Sequence, residues 1–366
     1  MPAPTKPPVS SLKRVTLRDI AARLGVSHVT ISLGMRNHPS IPPARCREIQ
    51  RVAEQMGYRP DPVLSALVVY RQQTRPVQIQ SSIAWINHWD QPENLRKHRE
   101  FDGYWRGASK AAEKFGYRLD EIRWAADCSA KRFERILLTR NIRGVLIPPH
   151  RNPPDWGEFD WNKFSVIRFG MSVSAPDSHL VTADHLRAVV MAMGRIAQYG
   201  YQRIGMVVPR DFDRHLGGNY IGGFYAAQKV FRSLHALPPL MTEESLYRAR
   251  NERAKAALKH WLESHKPDAI LTTVPEVPGL LRELGYRIPE DIAVAGTSIT
   301  DVPVDSGINQ NSEAIGRIAV EMLVAQINVN SRGEPEAPSR ILVESLWQDG
   351  KTLPPRTKAK NVEPRE

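Results

Sequence analysis

Through its first sixty positions the chain spaces its apolar residues as helices do. Leu17, Ile20, Ala21 and Leu24 fall at i, i+3, i+4 and i+7 and form one stripe. Thr16 precedes the stripe as a cap, with Asp19 three residues on in capping-box spacing. Gly25 closes this helix, and Ser27 caps a second one from His28 to about Leu33. A third starts at Pro43, where proline suits the first helical position, buries Ile49, Val52, Ala53 and Met56, and stops at Gly57. Asp61 and Pro62 open a fourth, very short helix over Val63–Leu67. A helix that short is marginal in water and needs a partner surface. Two helices joined by a short glycine-containing turn form a helix-turn-helix, whose second helix enters the DNA major groove.

Beyond the polar connector 70–80 the pattern changes to short apolar runs alternating with amphipathic segments. SSIAWIN, YRLDEIRW, GVLIPP and FSVIRFG read as strands or buried apolar runs. FDGYWRGASKAAEKFGY and AKRFERILLTRN read as helices. The alternation restarts with a helix at HLRAVVMAMGRIAQYGY and continues through RIGMVVP, PDAILTTV and DIAVAGTS as strands. A helix, SEAIGRIAVEMLVAQINVN, and one strand, SRILVESLWQDG, complete it. Two doubly wound α/β halves predict parallel sheets with a cleft between them, onto which strand ends converge.

Charge sharpens the picture. The 366 residues carry a formal net charge of +12, and residues 1–75 hold twelve Lys and Arg against four acids, so +8 of it lies on the helix-turn-helix segment. That concentration is the footprint of a phosphate-binding surface. The first twelve residues are Pro-rich with no apolar core, so no secretory signal is expected. No run of eighteen apolar residues occurs, so no membrane span is expected. Cys46 and Cys128 lie in unrelated segments and form no metal-ligand pair. The reading is a cytoplasmic protein without metal or cofactor.

The order of motifs is specific. TLRDIAARLGVSHVTIS followed by GYRPDPVLSAL resembles the LacI/GalR family of bacterial transcription regulators. GVLIPP, Asp184 in VTADH, YGYQRIGMV, GYRIPEDIAVAG and NQNSEAIGRIAVEMLV extend the likeness from Val15 to about Leu353. It implies an all-α helix-turn-helix DNA-binding domain plus an α/β periplasmic-binding-protein-like effector domain of two doubly wound lobes. The expected divisions are an arm at 1–14, the helix-turn-helix at 15–60, hinge helix and linker at 61–78, the two-lobed effector and dimerisation domain at 79–352, and a disordered tail at 353–366. The chain should cross between lobes near residues 175, 308 and 335.

By the same resemblance His28 and Val29 set base choice, and imidazole and an apolar side chain suit a base edge and a thymine methyl. Ser32 and Leu33 follow on that helix, and Thr16, Ser27, Thr30 and Asn37 are expected phosphate contacts that set register. The family commonly has Arg where this chain has Leu33, so an operator altered at that base pair is expected, with core packing as the other reading of Leu33. Paired hinge helices of a dimer wedge a minor-groove step with a leucine. Leu67 holds that position, and Leu64 packs on the partner helix. Two-fold symmetry implies a homodimer on a pseudo-palindromic operator.

At the cleft the family's sugar-gripping set is nearly absent: Gly170, Tyr220, Val274-Pro275 and Ser298 stand in its place. A common hexose bound in the usual manner is therefore not expected. Candidate effector contacts are Asn87, His88, Trp89, Pro148, Arg168, Tyr220, Glu276 and Ser298. For Arg168 an anion contact and a structural ion pair both stand open. Function reads as a regulator, most often a repressor, controlled by a small-molecule effector. The alternatives are a regulator of this family with a vestigial or protein-controlled cleft, and a solute-binding protein. An enzyme is disfavoured: phosphate-loop, dinucleotide, nucleophile-elbow and zincin motifs are missing, and His88, His98, His150, His179 and His185 show no ligand spacing.

Overall fold

A computed structural model describes residues 15–35, 40–58, 81–125, 127–150, 154–243 and 252–356. The chain divides into a small amino-terminal unit and a large α/β unit.

The small unit consists, among the described residues, of α1 (Leu17–Leu24), α2 (His28–Met35) and α3 (Pro43–Gln55). Thr16 and Asp19 form the capping box, with Thr16 N donating to Asp19 Oδ2 at 2.8 Å. Gly25 ends α1 in the left-handed conformation, φ 64°, which glycine adopts without steric cost. Ile20, Ala21, Ile31, Ile49, Val52 and Ala53 are buried together, with Val15, Leu17, Leu24, Met56 and Tyr58 packed around them. Gly34 lets α2 sit against α3, because the Ile49 side chain occupies the space a β-carbon would take. The Gln50 amide donates to the carbonyls of Gly34 and Met35 and ties the end of α2 to α3. Cys46 is a buried free thiol. The expected hinge helix lies outside the described residues.

The large unit holds two sheets. In lobe 1, β1 (Ser81–Asn87), β2 (Tyr117–Arg123), β3 (Gly144–Ile147), β4 (Ser165–Phe169), β5 (His179–Ala183) and β11 (Arg340–Val343) run in the order β11-β5-β4-β3-β1-β2. Every pairing there is parallel. Lobe 2 repeats the plan with β6 (Ile204–Pro209), β7 (Leu240–Thr242), β8 (Ala269–Thr272), β9 (Ala293–Gly296), β10 (Gly307–Asn309) and β12 (Leu346–Gln348), ordered β12-β10-β9-β8-β6-β7. Among the described strands of this sheet only β12 runs antiparallel, against β10. In both sheets strand order reverses at the first strand of the lobe, the switch point where ligands bind in doubly wound folds.

The helices are α4 (Arg99–Lys114), α5 (Ala130–Thr139), α6 (His185–Gln198), α7 (Arg210–His215), α8 (Asn219–Val230), α9 (Glu252–His265), α10 (Val277–Glu283) and α11 (Ser312–Val329). Aromatic residues close lobe 1 beside the β3–β4 connection: Trp124, Phe133, Trp156, Phe159 and Phe164 belong to one buried cluster. Helices α4 and α11 cross at glycines. A β-carbon on Gly107 would strike the Glu313 backbone, and one on Gly316 would strike the Tyr104 carbonyl.

Three expectations need correction. The lobe crossings fall near Asp184, at Gln310–Asn311 and at Glu344–Ser345, since β5 and β11 lie in the first sheet and β10 and β12 in the second. Residues 175 and 335 precede lobe-1 strands, whereas the second crossing falls beside the expected residue 308. SRILVESLWQDG is accordingly two strands in different sheets. The expected disordered tail does not begin at Leu353: that side chain is fully buried in the lobe-2 core, Tyr201 donates to the Pro354 carbonyl at 2.8 Å, and the Arg356 guanidinium lies 4.2 Å over the Tyr201 ring. Apolar burial and a cation–π contact hold what a charged, Pro-containing composition had suggested was loose.

Candidate nucleic-acid interface and ligand cleft

Helix α2 is anchored from below and open above. Ile31 and Gly34 face the core, while Ser27, His28 and Val29 are exposed, Val29 at 53%. The Ser27 hydroxyl accepts from Thr30 N at 3.1 Å and meets the Thr30 hydroxyl at 2.9 Å. This is the N-cap geometry that satisfies an otherwise unpaired helix donor. The helix thereby presents an imidazole and an isopropyl group on a rigid first turn. Leu33 is half-buried and is not among the described side chains packed on the core cluster.

The cleft of the large unit gathers strand ends from both lobes, about 1000 Å³ counted out to its open mouth. Trp89 follows β1, Pro149 and His150 follow β3, and Gly170, Met171 and Ser172 follow β4. Lobe 2 brings Phe212 and His215 from α7, Tyr220 from α8, Thr273 after β8 and Thr297 and Ser298 after β9. Asp213 orients Tyr220 by accepting from the backbone N–H groups of Tyr220 and Ile221 at 3.0 and 3.3 Å. It supplies the cap that Gly218 lacks. The Tyr220 hydroxyl accepts from the Gln310 amide at 3.1 Å, and Phe212 stacks on its ring at 6.1 Å.

Two carboxyl groups join the lobes across this cleft. Glu100, in the first turn of α4, accepts from the Ser298 hydroxyl at 2.5 Å, the Thr300 hydroxyl at 2.8 Å and the Ser312 hydroxyl. Burial pushes its pKa up to about 6 despite those donors. Helix α4 has no side-chain cap of its own, and Asp301 of lobe 2 provides one, accepting from Arg99 N at 2.9 Å. Burial also raises the Asp301 pKa. The imidazoles of His150 and His185 are pushed down to about 4 by burial and stay neutral at pH 7.

Comparison with known proteins bears on both regions. Residues 16–61 match the model of bacterial regulatory proteins of the lacI family, and residues 194–352 match a periplasmic binding protein-like domain. The chain thus joins a lacI-family helix-turn-helix domain to a periplasmic binding protein-like domain. It is 23% identical to the HTH-type transcriptional regulator CelR of Thermobifida fusca over 91% of this chain and 96% of the relative. It is 22% identical to the HTH-type transcriptional repressor CytR of Escherichia coli K12 over 85% and 89%. Among solved structures, a CelR–cellobiose complex superposes with a TM-score of 0.56 at 19% identity, covering 93% of this chain and all of that one. A lac repressor dimer bound to operator and an anti-inducer gives 0.51 at 16%, covering 93% and 99%. These likenesses carry the two-domain fold of lacI-family transcription regulators.

Within this lacI-family frame the candidate residues separate. Thr16, Ser27, His28, Val29, Thr30, Ser32 and Leu33 lie on or beside the exposed edge of α1 and α2, whereas Asn37, Leu64 and Leu67 fall outside the described residues. Trp89, Tyr220 and Ser298 line the cleft. Asn87 does not: it is fully buried and donates to Pro92 O and Glu121 Oε1, holding the chain after β1. His88 meets the Trp124 carbonyl at 2.7 Å and packs on Trp124 and Trp156. Pro148 contributes a carbonyl to His150. Arg168 points into its own lobe, bonded to Val173 O, Ser178 O and Asp177, so the structural reading holds and the anion contact does not. Glu276 starts α10 away from the cleft lining. Sequence reasoning missed Glu100, Asp301 and Thr273. It read His185 only as a scattered histidine.

Proposed function

We propose that the chain is a cytoplasmic transcription repressor that binds a pseudo-palindromic operator as a homodimer and is released from or driven onto DNA by a small molecule in the cleft. The observation that carries this reading is the first turn of α2, capped by Ser27 and rooted on Ile31, with His28 and Val29 held free above it. A surface so placed reads base edges, and the +8 concentrated in residues 1–75 supplies the phosphate attraction. Leu33, half-exposed beside it, replaces a guanine-reading Arg and shifts the operator at that step. The segment carrying Leu64 and Leu67 is assigned the minor-groove wedge.

Dimerisation is favoured by the sheet edges. β11 and β12 are terminal strands of their sheets, and Leu342 and Leu346 stand about half exposed on them. Apolar edges of this kind call for cover. A small molecule is favoured over a protein signal because the cleft is walled by strand ends of both lobes, so an occupant that touches both biases their closure. That a relative was solved with cellobiose supports the same choice. Among the described residues no helix is long and apolar enough to cross a membrane. We assign no catalysis and no cofactor.

Selection of sheared genomic fragments by the full-length protein, followed by sequencing, tests the reading. An enriched inverted repeat whose affinity falls steeply with salt is expected. Enrichment of no sequence over bulk DNA would overturn it.

A further inference from the structure

Resting on the reading of the cleft as an effector site, we infer that it is built for an uncharged, ring-bearing molecule whose hydrogen-bonding groups reach His185 and Thr273, and that it rejects phosphorylated and carboxylated metabolites.

Fixed charge comes first. Among the described residues lining the cleft there is no Lys and no Arg, and the two acids are Glu100 and Asp301. An anionic ligand would meet two carboxyl groups with no described Lys or Arg in the lining, in a site partly shielded from water where such repulsion is screened weakly. The buried imidazoles do not reverse this, since burial keeps His150 and His185 uncharged at pH 7. His98 and His215 are the other imidazoles of the described lining.

The acids do not call for a cationic ligand either. Glu100 already accepts three hydroxyl hydrogens, from Ser298, Thr300 and Ser312. Asp301 already caps α4 through Arg99 N. Their charge is spent on joining the lobes.

Two polar atoms of the lining remain unspent. His185 Nδ1 and Thr273 Oγ1 are buried and have no hydrogen-bond partner among the described residues. Native interiors rarely leave such atoms unpaired, so each calls for a partner that the described residues do not supply. His185 opens α6 at the crossing between lobes, with Nε2 at 3.4 Å from the Thr182 hydroxyl and its ring edge-on to Tyr220 at 5.2 Å. Thr273 sits at the carboxyl end of β8. A ligand presenting a hydroxyl, amide or ring nitrogen to each would complete both. Between them the walls are flat and aromatic: Trp89, Phe101 and Tyr104 from lobe 1, Phe212 and Tyr220 from lobe 2. The Trp89 indole N–H is engaged by the Pro149 carbonyl at 3.0 Å, which fixes that ring as a surface for stacking.

The test uses the full-length protein and, as probe, a protein-free small-molecule extract of bacterial cells. Native mass spectrometry identifies what the protein retains, and calorimetry then measures that compound and a phosphorylated or carboxylated derivative of it. An uncharged ring compound is expected, with affinity at least about tenfold weaker for Thr273→Val and for His185→Ala, and about a hundredfold weaker for the anionic derivative. Thr273→Val is nearly isosteric, so it keeps the test valid if His185→Ala folds poorly. Retention of a phosphate- or carboxylate-bearing compound that changes operator affinity would overturn the ligand class while leaving the effector reading intact. Undiminished affinity in both variants would overturn the two contacts. Retention of no compound by a protein that still binds its operator would overturn the effector reading, and the inference with it.

Discussion

Replacing Glu100 by Gln isolates the most heavily used group in the lobe junction. Glu100 is 5% exposed, and burial raises its pKa from the usual 4.5 to about 6. The folded protein therefore holds this proton more tightly than the unfolded chain. Its contribution to stability is fully present below about pH 4.5 and is lost as pH rises through about 6. Raising the pKa from 4.5 to about 6 corresponds to about 2 kcal/mol. Gln titrates nowhere in this range, so the variant lacks that slope. Its unfolding free energy relative to the native protein should improve by about 2 kcal/mol between pH 4.5 and 7.5. The absolute value at one pH also carries the altered bonding to Ser298, Thr300 and Ser312, which is why the difference between pH values is the quantity to measure. Urea unfolding followed by tryptophan fluorescence across that range reads it. Parallel pH profiles for Glu100→Gln and the native protein would refute the assignment of a buried, proton-binding carboxyl group at the junction.

The other predictions concern packing and base choice. Leu353→Ala empties a fully buried position in lobe 2 and should cost about 2–5 kcal/mol in the same unfolding assay, whereas a loose tail would cost nothing. Gly316→Ala forces a β-carbon onto the Tyr104 carbonyl and should destabilise by about 1–3 kcal/mol or more. A Tm equal to that of the native protein would show that α4 and α11 are not in close contact. Leu33→Arg should move the selected operator toward guanine at one position in each half-site, by about 1–3 kcal/mol of discrimination. An unchanged selected sequence would place Leu33 off the DNA.

What could be read before folding was what local chemistry dictates. The stripe Leu17–Ile20–Ala21–Leu24, the Thr16 and Ser27 caps and the helix-ending Gly25 mark α1 and α2 because each signal lies within one or two turns. Long strands of alternating or wholly apolar character, such as Ser81–Asn87, were equally plain. The short strands β8 and β9 were still marked by continuous apolar runs, whereas β5, β7 and β10 show no pattern that sets them off. A strand pair interrupted only by Glu344–Ser345 gives no hint that its halves join different sheets. The cleft was legible where a strand end carries an aromatic residue or sits beside a known landmark, as with Trp89, Tyr220 and Ser298. It was opaque where function depends on partners about two hundred residues apart, as for Glu100 with Ser298 and Arg99 with Asp301. Arg168 shows the converse error: a lone Arg at a strand end suggests an anion site until the fold supplies Val173, Asp177 and Ser178 as its partners. Orphaned atoms such as His185 Nδ1 exist only in three dimensions.

The central claim is that the exposed first turn of α2 reads DNA sequence. Fluorescence anisotropy with the selected operator and with a scrambled duplex of the same length, for the native protein and for His28→Ala/Val29→Ala, tests it most directly. The native protein should prefer the operator by about a thousandfold or more. The double variant should lose about 10- to 100-fold or more of that preference while binding the scrambled duplex as before. Equal discrimination by the two proteins would contradict the account.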